Sequence, residues 1–236
     1  EAAFPGLALG PAMTGISRRD TIWARVWKAS AALVLAPLFL VLTPISSTPK
    51  PVVSAACAAA RAGASTLLVE AYGSLGGTLT IVTLGGLCGI HAVIDDERLG
   101  RVVGGLCLEV EDRLAAVDAI RHPQRHGRIV GVPYDSVRLK GVLDEMTTSH
   151  GVSVILHTSA VAAVTDGKRV SAVIFENKGG RAAVVPRVVI DCTGDGDVAA
   201  LAGAAFEVGA GGETQYGSAM FRLGGVDTVR AAQLSR

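Results

Sequence analysis

The chain has 236 residues, half of them apolar, and a formal net charge of +1 at pH 7. A chain of this length and apolar content can bury a substantial core, which excludes disorder as its main state. The near-zero net charge and the scattered Lys and Arg residues also argue against a surface that follows nucleic-acid phosphates. We therefore expect a folded protein with no nucleic-acid partner.

The N-terminal segment has the architecture of an export signal. Arg18 and Arg19 precede a charge-free, largely apolar run over residues 29–49, and small residues at positions 53–55 offer a candidate cleavage site. The paired arginines resemble the motif of the twin-arginine export pathway. The sequence thus predicts an N-terminal extension over residues 1–53, transient contact with the export machinery, and an exported or periplasmic protein.

Two other interpretations of the apolar run stay open. The run is a candidate membrane anchor, although Pro37 interrupts it and its strongly apolar part, residues 31–42, is shorter than the ~20 residues of a membrane-spanning helix. Alternatively, residues 32–42 form a buried strand of the folded domain. These interpretations correspond to a membrane-anchored and to a cytoplasmic protein.

From residue 54 onward the chain alternates helix and strand, which predicts an α/β fold. An Ala-rich helix over residues 54–62 is ended by Gly63, and a β-branched strand over residues 65–69 leads to Glu70. A dinucleotide-binding fold places an acidic residue at this point to accept hydrogen bonds from an adenosine ribose. A surface glutamate is the alternative.

A glycine pair follows this carboxylate, in the segment that contains Gly76, Gly77 and Thr78. Adjacent glycines let a backbone approach a diphosphate and present N–H groups to it, although a plain turn is the alternative. Further along, Asp135 is the expected N-cap of a helix. We predict helices over residues 106–114 and 136–149, a surface loop over residues 121–131, and strands over residues 152–157, 161–164, 169–176 and 184–190.

The most informative motif lies at residues 191–203. An apolar strand ends in Thr193 and Gly194, and a glycine turn then feeds an Ala-rich helix, so that backbone amides at the strand's carboxyl end face a ligand. Asp191, Asp195 and Asp197 suggest calcium, but the Glu that an EF-hand loop requires is missing. We therefore expect no metal site here.

Cysteine and histidine spacing gives no further metal or redox site. The pair His122 and His126 is four residues apart, but Pro123 and Gly127 oppose a helix there, and zinc usually needs three or four ligands. No CxxC motif occurs, so we expect buried free thiols. The four cysteines are Cys57, Cys88, Cys107 and Cys192.

In chain order, five segments resemble the glutathione-reductase-like family of FAD-dependent oxidoreductases. The likeness covers residues 55–227 and implies a Rossmann-like FAD-binding domain with βαβ units and an inserted, incomplete substrate domain, assigned here to residues 54–236. The segments are ARAGASTLLVEAYGSLGGTLT, VGGLCLEVEDRL, YDSVRLKGVLDEM, GVSVILHTSAVAAV and VVIDCTGDGDVAALAGAAFEVG.

The resemblance also implies how FAD is held. It implies Glu70 at the adenosine ribose and the backbone around Val161 at the adenine. The diphosphate and ribityl chain are expected near Gly76, Gly77, Thr78, Thr193 and Gly194, with Asp197 close by.

One departure from the family concerns the GxGxxG phosphate loop, which is missing. It should lie near residues 47–52, yet no glycine occurs between Gly15 and Gly63. Either the first strand, the loop and a helical turn have been deleted, or residues 32–42 supply the strand and a proline-rich segment replaces the loop. Because Pro44, Pro49 and Pro51 lack N–H donors, we expect weakened FAD affinity even then.

These observations lead to two functional hypotheses. The first is an FAD-dependent oxidoreductase that transfers hydride between the flavin and a small-molecule substrate, with His91 as the best candidate for a proton-transferring group and Cys88 a weaker candidate as redox partner. The second is a cofactor-less remnant that acts at most as a binding or scaffold protein. The sequence specifies neither the substrate nor the oligomeric state.

Overall fold

The structure is a computed structural model that describes residues 32–35, 38–42, 50–82, 84–95, 98–127, 129–219, 221 and 223–234. These residues divide into two compact units, one ending at Phe206 and the other beginning at Glu207. The paired arginines and residues 43–49 lie outside the described residues, so only residues 50–52 of the expected phosphate-loop position (47–52) are described, and they belong to the first helix.

The described elements are mostly short strands. The helices are α1 (Lys50–Arg61), α2 (Leu106–Ala116), α3 (Ser136–Ser149), α4 (Asp197–Leu201) and α5 (Thr228–Leu234). The strands are β1 (Ala32–Leu35), β2 (Leu38–Leu42), β3 (Ser65–Val69), β4 (Gly86–Cys88), β5 (His91–Val93), β6 (Leu99–Arg101), β7 (Gln124–His126), β8 (Ile129–Pro133), β9 (Ser153–Ile155), β10 (Ser159–Asp166), β11 (Arg169–Asn177), β12 (Gly180–Val185) and β13 (Val188–Asp191).

A four-stranded parallel sheet forms the framework of the first unit, with strand order β13-β2-β3-β9. Leu40 in β2 pairs with Leu67 in β3 and with Val189 in β13. Apolar runs with little alternation are typical of parallel strands that are covered on both faces. Since all four strands are parallel, their carboxyl ends lie along one edge of the sheet.

Helix α1 covers this sheet through an apolar stripe. Val52, Val53, Ala56 and Cys57 are buried together with Leu68 of β3. Gly63 ends the helix in a left-handed conformation, with φ +82°, as the sequence predicted. The unit β2-α1-β3 is therefore a βαβ unit built around the apolar run of the N-terminal segment.

The position of β2 decides between the two explanations of the missing strand. The structure places a strand within residues 32–42, so the strand of the βαβ unit has not been deleted. Helix α1 begins at Lys50, four residues before the predicted start, because a proline at position 51 is tolerated in a first helical turn. The domain boundary expected between residues 53 and 54 falls inside α1.

A second four-stranded sheet has the order β1-β12-β11-β10. Strands β10, β11 and β12 form an antiparallel meander, and β1 pairs with β12 in parallel. The smaller sheets β4-β8-β7 and β5-β6 are antiparallel. In the part of the chain that the structure describes, no helix is long and apolar enough to cross a bilayer.

Several predicted elements are confirmed with small shifts. Strand β3 and helices α2 and α3 lie where the sequence put them, and Asp135 caps α3 by accepting hydrogen bonds from the N–H groups of Val137 (2.8 Å) and Arg138 (3.1 Å). Strands β9, β10 and β11 match the predicted strands to within a few residues.

Two predicted elements are wrong in detail. The single strand expected over residues 184–190 is divided into β12 and β13, since Pro186 stands between them and cannot donate to a ladder. Residues 121–131 are not a loop, because β7 and the start of β8 pair there as a hairpin. Strand β7 is polar, with Gln124 and Arg125 exposed, and lacks the apolar alternation by which strands are recognised.

The second unit contains little regular structure. Asp227 caps helix α5, since its Oδ1 accepts hydrogen bonds from the N–H groups of Val229 (3.0 Å) and Arg230 (3.1 Å). An isolated bridge joins Ala210 and Glu213. Tyr216 is 96% exposed, so this unit buries little of its aromatic surface within itself.

Candidate functional site

The carboxyl edge of the parallel sheet gathers the residues that the sequence singled out. Strand β3 runs into Glu70, β13 runs into Asp191 and Thr193, and β2 ends between them. Neighbouring strands are about 4.8 Å apart, so the ends of β3 and β13 are separated by about 10 Å. Open α/β sheets bind ligands outside the carboxyl ends of their strands.

Glu70 is 1% exposed and is fixed by backbone hydrogen bonds on two sides. Its N–H donates to the carbonyl of Ile155 (2.8 Å), and its own carbonyl accepts from the N–H of Thr158 (3.0 Å). Its Oε1 accepts from the N–H of Tyr72 (2.8 Å). A buried carboxylate held in this way is positioned to accept hydrogen bonds from ribose hydroxyls.

The glycine pair lies in a tight turn. Gly76 and Gly77 are buried with φ +105° and +48°, and Gly77 opens a short 3-10 turn that includes the half-buried Thr78. A Cβ atom on Gly76 would lie 2.7 Å from Thr80 Oγ1 and 2.9 Å from Leu143 Cδ1. The close packing of the chain on itself therefore already requires glycine at position 76.

Asp191 organises the turn after β13. Its Oδ1 accepts hydrogen bonds from the N–H of Thr193 (2.9 Å) and from Thr193 Oγ1 (2.6 Å), and its Oδ2 accepts from the N–H of Ala199 (2.9 Å). Thr193 Oγ1 in turn accepts from the N–H of Asp197 (2.7 Å). This carboxylate thus ties the strand, the glycine turn and α4 together.

We expect the D191A variant to lose about 2–3 kcal/mol of unfolding free energy, because hydrogen bonds to a charged group are worth about 1.5–3 kcal/mol and two backbone donors lose their partner. Urea-induced unfolding measures the change. The D112A variant, which removes an exposed carboxylate of α2, is the control and should change stability by less than about 0.5 kcal/mol. Equal losses in the two variants would contradict the role of Asp191.

Three carboxylates lie on and beside the turn between β13 and α4, namely those of Asp191, Asp195 and Asp197. Burial raises the pKa of Asp197, and the nearby charges of Asp195 and Asp191 raise it further. An acid with a raised pKa in the folded state destabilises that state when it is ionised, and the penalty disappears as the pH falls below its pKa in the unfolded chain. This loop therefore favours hydrogen-bond donors, such as ribityl hydroxyls, over phosphate groups.

The D197N variant should accordingly become more stable relative to the parent chain as the pH rises through the pKa of Asp197. At acidic pH the parent side chain is protonated, so the difference between the two unfolding free energies should shrink. Urea-induced unfolding across a pH series tests this. A difference that stays constant with pH would contradict the charge repulsion among the three carboxylates.

Val161 lies at a bulge in β10. The β10–β11 ladder pairs Ala160 with Phe175 and Ala162 with Ile174, so Val161 is the extra residue between two pairs. A bulge residue of this kind leaves its backbone outside the ladder. The adenine contact that the resemblance implies for Val161 stays a prediction.

The structure brings together most of the predicted site. Glu70 and the pair Thr193 and Gly194 flank the end of β2, and the adenine candidate Val161 follows Thr158, which is bonded to Glu70. Glu70 carries a carboxylate and Thr193 a hydroxyl, which are groups that can hydrogen-bond to ribose and ribityl hydroxyls. Fewer groups are free to bind the diphosphate, because internal packing fixes Gly76 and the sequence has no GxGxxG motif between Gly15 and Gly63.

The candidate redox and proton-transfer groups have contrasting environments. Burial raises the pKa of the Cys57 thiol to about 11, with a further contribution from the charge of Glu109, so this thiol is inert near neutral pH. Cys88 is exposed, contrary to the expectation of buried thiols, while Cys107 and Cys192 are partly exposed. His91 is partly buried on β5, and its Nδ1 lacks a hydrogen-bond partner among the described residues.

Sequence reasoning missed Asp191 as an organising residue. Its signal was available, because Asp commonly bonds to backbone groups two residues further along the chain. It also missed the ion pair between Arg101 and Glu111, whose Nη2 and Oε2 atoms are 2.7 Å apart. No local motif marks that pair, since the partners lie on separate elements.

Comparisons with known proteins address the fold and the family. A search of curated proteins found no match. Among solved structures, an open conformation of a flavocytochrome c3 fumarate reductase is 17% identical with a TM-score of 0.48, and the alignment covers 75% of this chain and 36% of that one. A geranylgeranyl bacteriochlorophyll reductase-like protein of Thermoplasma acidophilum is 15% identical with a TM-score of 0.47, covering 73% and 43%.

A third structure, THI4 of Thermovibrio ammonificans, is 12% identical with a TM-score of 0.47, and the alignment covers 80% of this chain and 70% of that one. The chain thus spans less than half the length of the first two structures. A family model described as FAD dependent oxidoreductase matches residues 52–236, most of the chain. The chain therefore belongs to the FAD-dependent oxidoreductase family, whose cofactor is FAD, and has a Rossmann-like α/β fold.

Proposed function

We propose that this chain binds FAD along the carboxyl edge of its parallel sheet and acts as an oxidoreductase on a small-molecule substrate. The observation that carries the proposal is the placement of buried Glu70 and buried Thr193 on either side of β2. When bound, FAD supplies two-electron chemistry by accepting or returning a hydride. Binding and orientation are the tasks of the protein.

Each residue of the site has a proposed task. Glu70 accepts hydrogen bonds from the adenosine ribose, and the bulge at Val161 offers backbone groups to the adenine edge. Thr193 and Gly194 present the turn after β13 to the ribityl chain, where Asp197 accepts from hydroxyl groups. The hydrogen bonds of Asp191 support this assignment, because they fix the turn in position.

We assign the candidate proton transfer to His91. Histidine is the side chain best suited to exchange a proton near neutral pH, and the His91 side chain on β5 is only partly buried. His91 lies shortly after β4 in the chain. Strand β4 pairs with β8, and Tyr134 directly follows β8. Tyr134 Oη donates to the carbonyl of Leu79 (2.7 Å), which links this sheet to the glycine turn.

The activity is tested by loading the purified chain with FAD, removing unbound FAD, and adding candidate substrates without oxygen. We expect at least one class among alcohols, amines and saturated acids to bleach the oxidised flavin absorbance. Dithionite provides the control, since it reduces any bound flavin chemically. Complete reduction by dithionite with no bleaching by any substrate class would contradict the oxidoreductase proposal.

A second candidate function is that of a cofactor-less binding protein. The observation that favours it is the lack of any glycine between Gly15 and Gly63, where the family's phosphate loop belongs. A chain of this kind folds but takes up no FAD. The two functions are therefore separated by an FAD titration alone.

A further inference from the structure

His157 lies in the short segment between β9 and β10, at the carboxyl edge of the parallel sheet. Its φ of +51° places it in the left-handed region, which is uncommon for a residue other than glycine. Such conformations persist where the surrounding structure holds them, and they cluster at ligand sites. The contacts of His157 therefore indicate what this conformation achieves.

Backbone hydrogen bonds hold the segment against the residues that follow β3. The His157 N–H donates to the carbonyl of Tyr72 (3.0 Å), and the Thr158 N–H donates to the carbonyl of Glu70 (3.0 Å). Thr158 is 4% exposed, and its Oγ1 accepts a hydrogen bond from Asn177 Nδ2 (3.0 Å). The segment is thus fixed directly beside the carboxylate that we propose for the adenosine ribose.

The imidazole of His157 is directed at Gly73. A Cβ atom on Gly73 would lie 2.6 Å from both Cε1 and Nε2 of the ring and 3.6 Å from Nδ1, so the Cε1–Nε2 edge points at this glycine. A side chain at position 73 would displace the ring, and glycine leaves it in place. His157 is nevertheless an exposed residue, which leaves ring surface accessible to a ligand.

The surroundings of the ring indicate the kind of ligand. Gly73 follows Glu70, the proposed partner of the adenosine ribose, within the same loop, and Val161, the residue expected at the adenine, follows His157 in β10. The imidazole therefore lies between the ribose position and the adenine position. A planar side chain with accessible ring surface can stack on a nucleobase.

We propose that the His157 imidazole stacks on the adenine of FAD and so forms one wall of the adenosine site. This inference rests on the proposed function for the identity of the ligand. Stacking involves the base alone. It therefore adds affinity for an adenine nucleotide and none for the same sugar phosphate without a base.

Calorimetric titration of the flavin-free full chain with AMP and with ribose 5-phosphate tests the proposal. AMP carries the adenosine half of FAD, and ribose 5-phosphate lacks the base. We expect the parent chain to bind AMP at least tenfold more tightly than ribose 5-phosphate. Equal affinities for the two probes, or no saturable binding of AMP, would overturn the proposal.

The H157N variant removes the ring at a position where asparagine tolerates the left-handed backbone, so the chain should still fold. It should weaken AMP binding about tenfold and leave the binding of ribose 5-phosphate unchanged. H122N, the same change at an exposed histidine that precedes β7, is the matched control and should bind AMP as the parent does. Equal weakening of both probes by H157N would assign the ring a merely structural role and would sink the proposal.

The G73A variant acts on the same ring from the other side. Its methyl group should displace the imidazole and weaken AMP binding, and it should cost no further affinity in the H157N background. Undiminished AMP binding by folded G73A would overturn the proposal even if H157N fails to fold. A chain that binds AMP in the expected way but takes up no FAD keeps the stacking and refutes the proposed function. FAD binding that H157N leaves unchanged does the reverse.

Discussion

A chain that begins at Ala55 should not fold cooperatively. The cut removes β2 from between β13 and β3, and with it buried Leu40; it also removes buried Val52 and Val53 from α1. Loss of a buried Leu costs about 2–5 kcal/mol, and a domain has about 5–15 kcal/mol in total. Far-ultraviolet circular dichroism with urea-induced unfolding measures the outcome.

The control for this truncation is a chain that begins at residue 29, which retains every described element. It should unfold cooperatively, with a midpoint close to that of the full chain. A cooperative transition of similar midpoint in the chain that begins at Ala55 would contradict the structural role assigned to β2.

This prediction bears on the export signal. Cleavage at residues 53–55 would cut within α1, where Val53 and Ala56 are buried, and would detach β2 from the sheet. A protease needs access to an unfolded segment, which the folded helix does not give. We therefore propose that the mature protein keeps residues 32–55 in whichever compartment it works, a proposal that the mass of the intact purified protein tests.

Replacing Pro44 and Pro49 together by glycine should tighten FAD binding by about 100-fold. Each substitution restores one backbone N–H, and a hydrogen bond to a charged group is worth about 1.5–3 kcal/mol, with 1.4 kcal/mol equal to a factor of ten in affinity. Quenching of flavin fluorescence on titration measures the dissociation constant.

The matched control for the proline replacements is P123G, at the start of the β7 region. It makes the same chemical change beside a different sheet, the antiparallel sheet β4-β8-β7, and should leave FAD affinity unchanged. Unaltered or weaker FAD binding by the double glycine variant would contradict the idea that the proline-rich segment limits affinity.

Local signals in the sequence predicted the elements with clear boundaries. Asp135 marked the start of α3, Gly63 marked the end of α1, and β-branched residues marked β3. Each of these signals acts within a few residues of chain. They were therefore readable without knowledge of the tertiary structure.

The apolar run over residues 29–49 was ambiguous for a physical reason. A strand buried on both faces and the core of an export signal are both short, charge-free and apolar, so composition cannot separate them. Pairing of β2 with β3 and β13 is a contact between distant parts of the chain. Only the tertiary structure contains that information.

The part of the site that follows strand ends could be predicted from the sequence, whereas the part that depends on tertiary contacts could not. Glu70 and Thr193 follow strands whose ends are visible in the sequence, so their shared edge could be inferred from a parallel sheet. The ion pair between Arg101 and Glu111 could not be predicted, because its partners lie on β6 and α2, which meet only in the folded chain.

Equilibrium titration of the purified full chain with FAD tests the central claim most directly. We expect saturation at one FAD per chain, and at least tenfold weaker binding by E70Q, which removes the charge at the ribose position. E176Q, the same change at an exposed position of β11, should bind as the parent does. A colourless protein that takes up no added FAD, or an E70Q variant that binds FAD as tightly as the parent, would contradict the account.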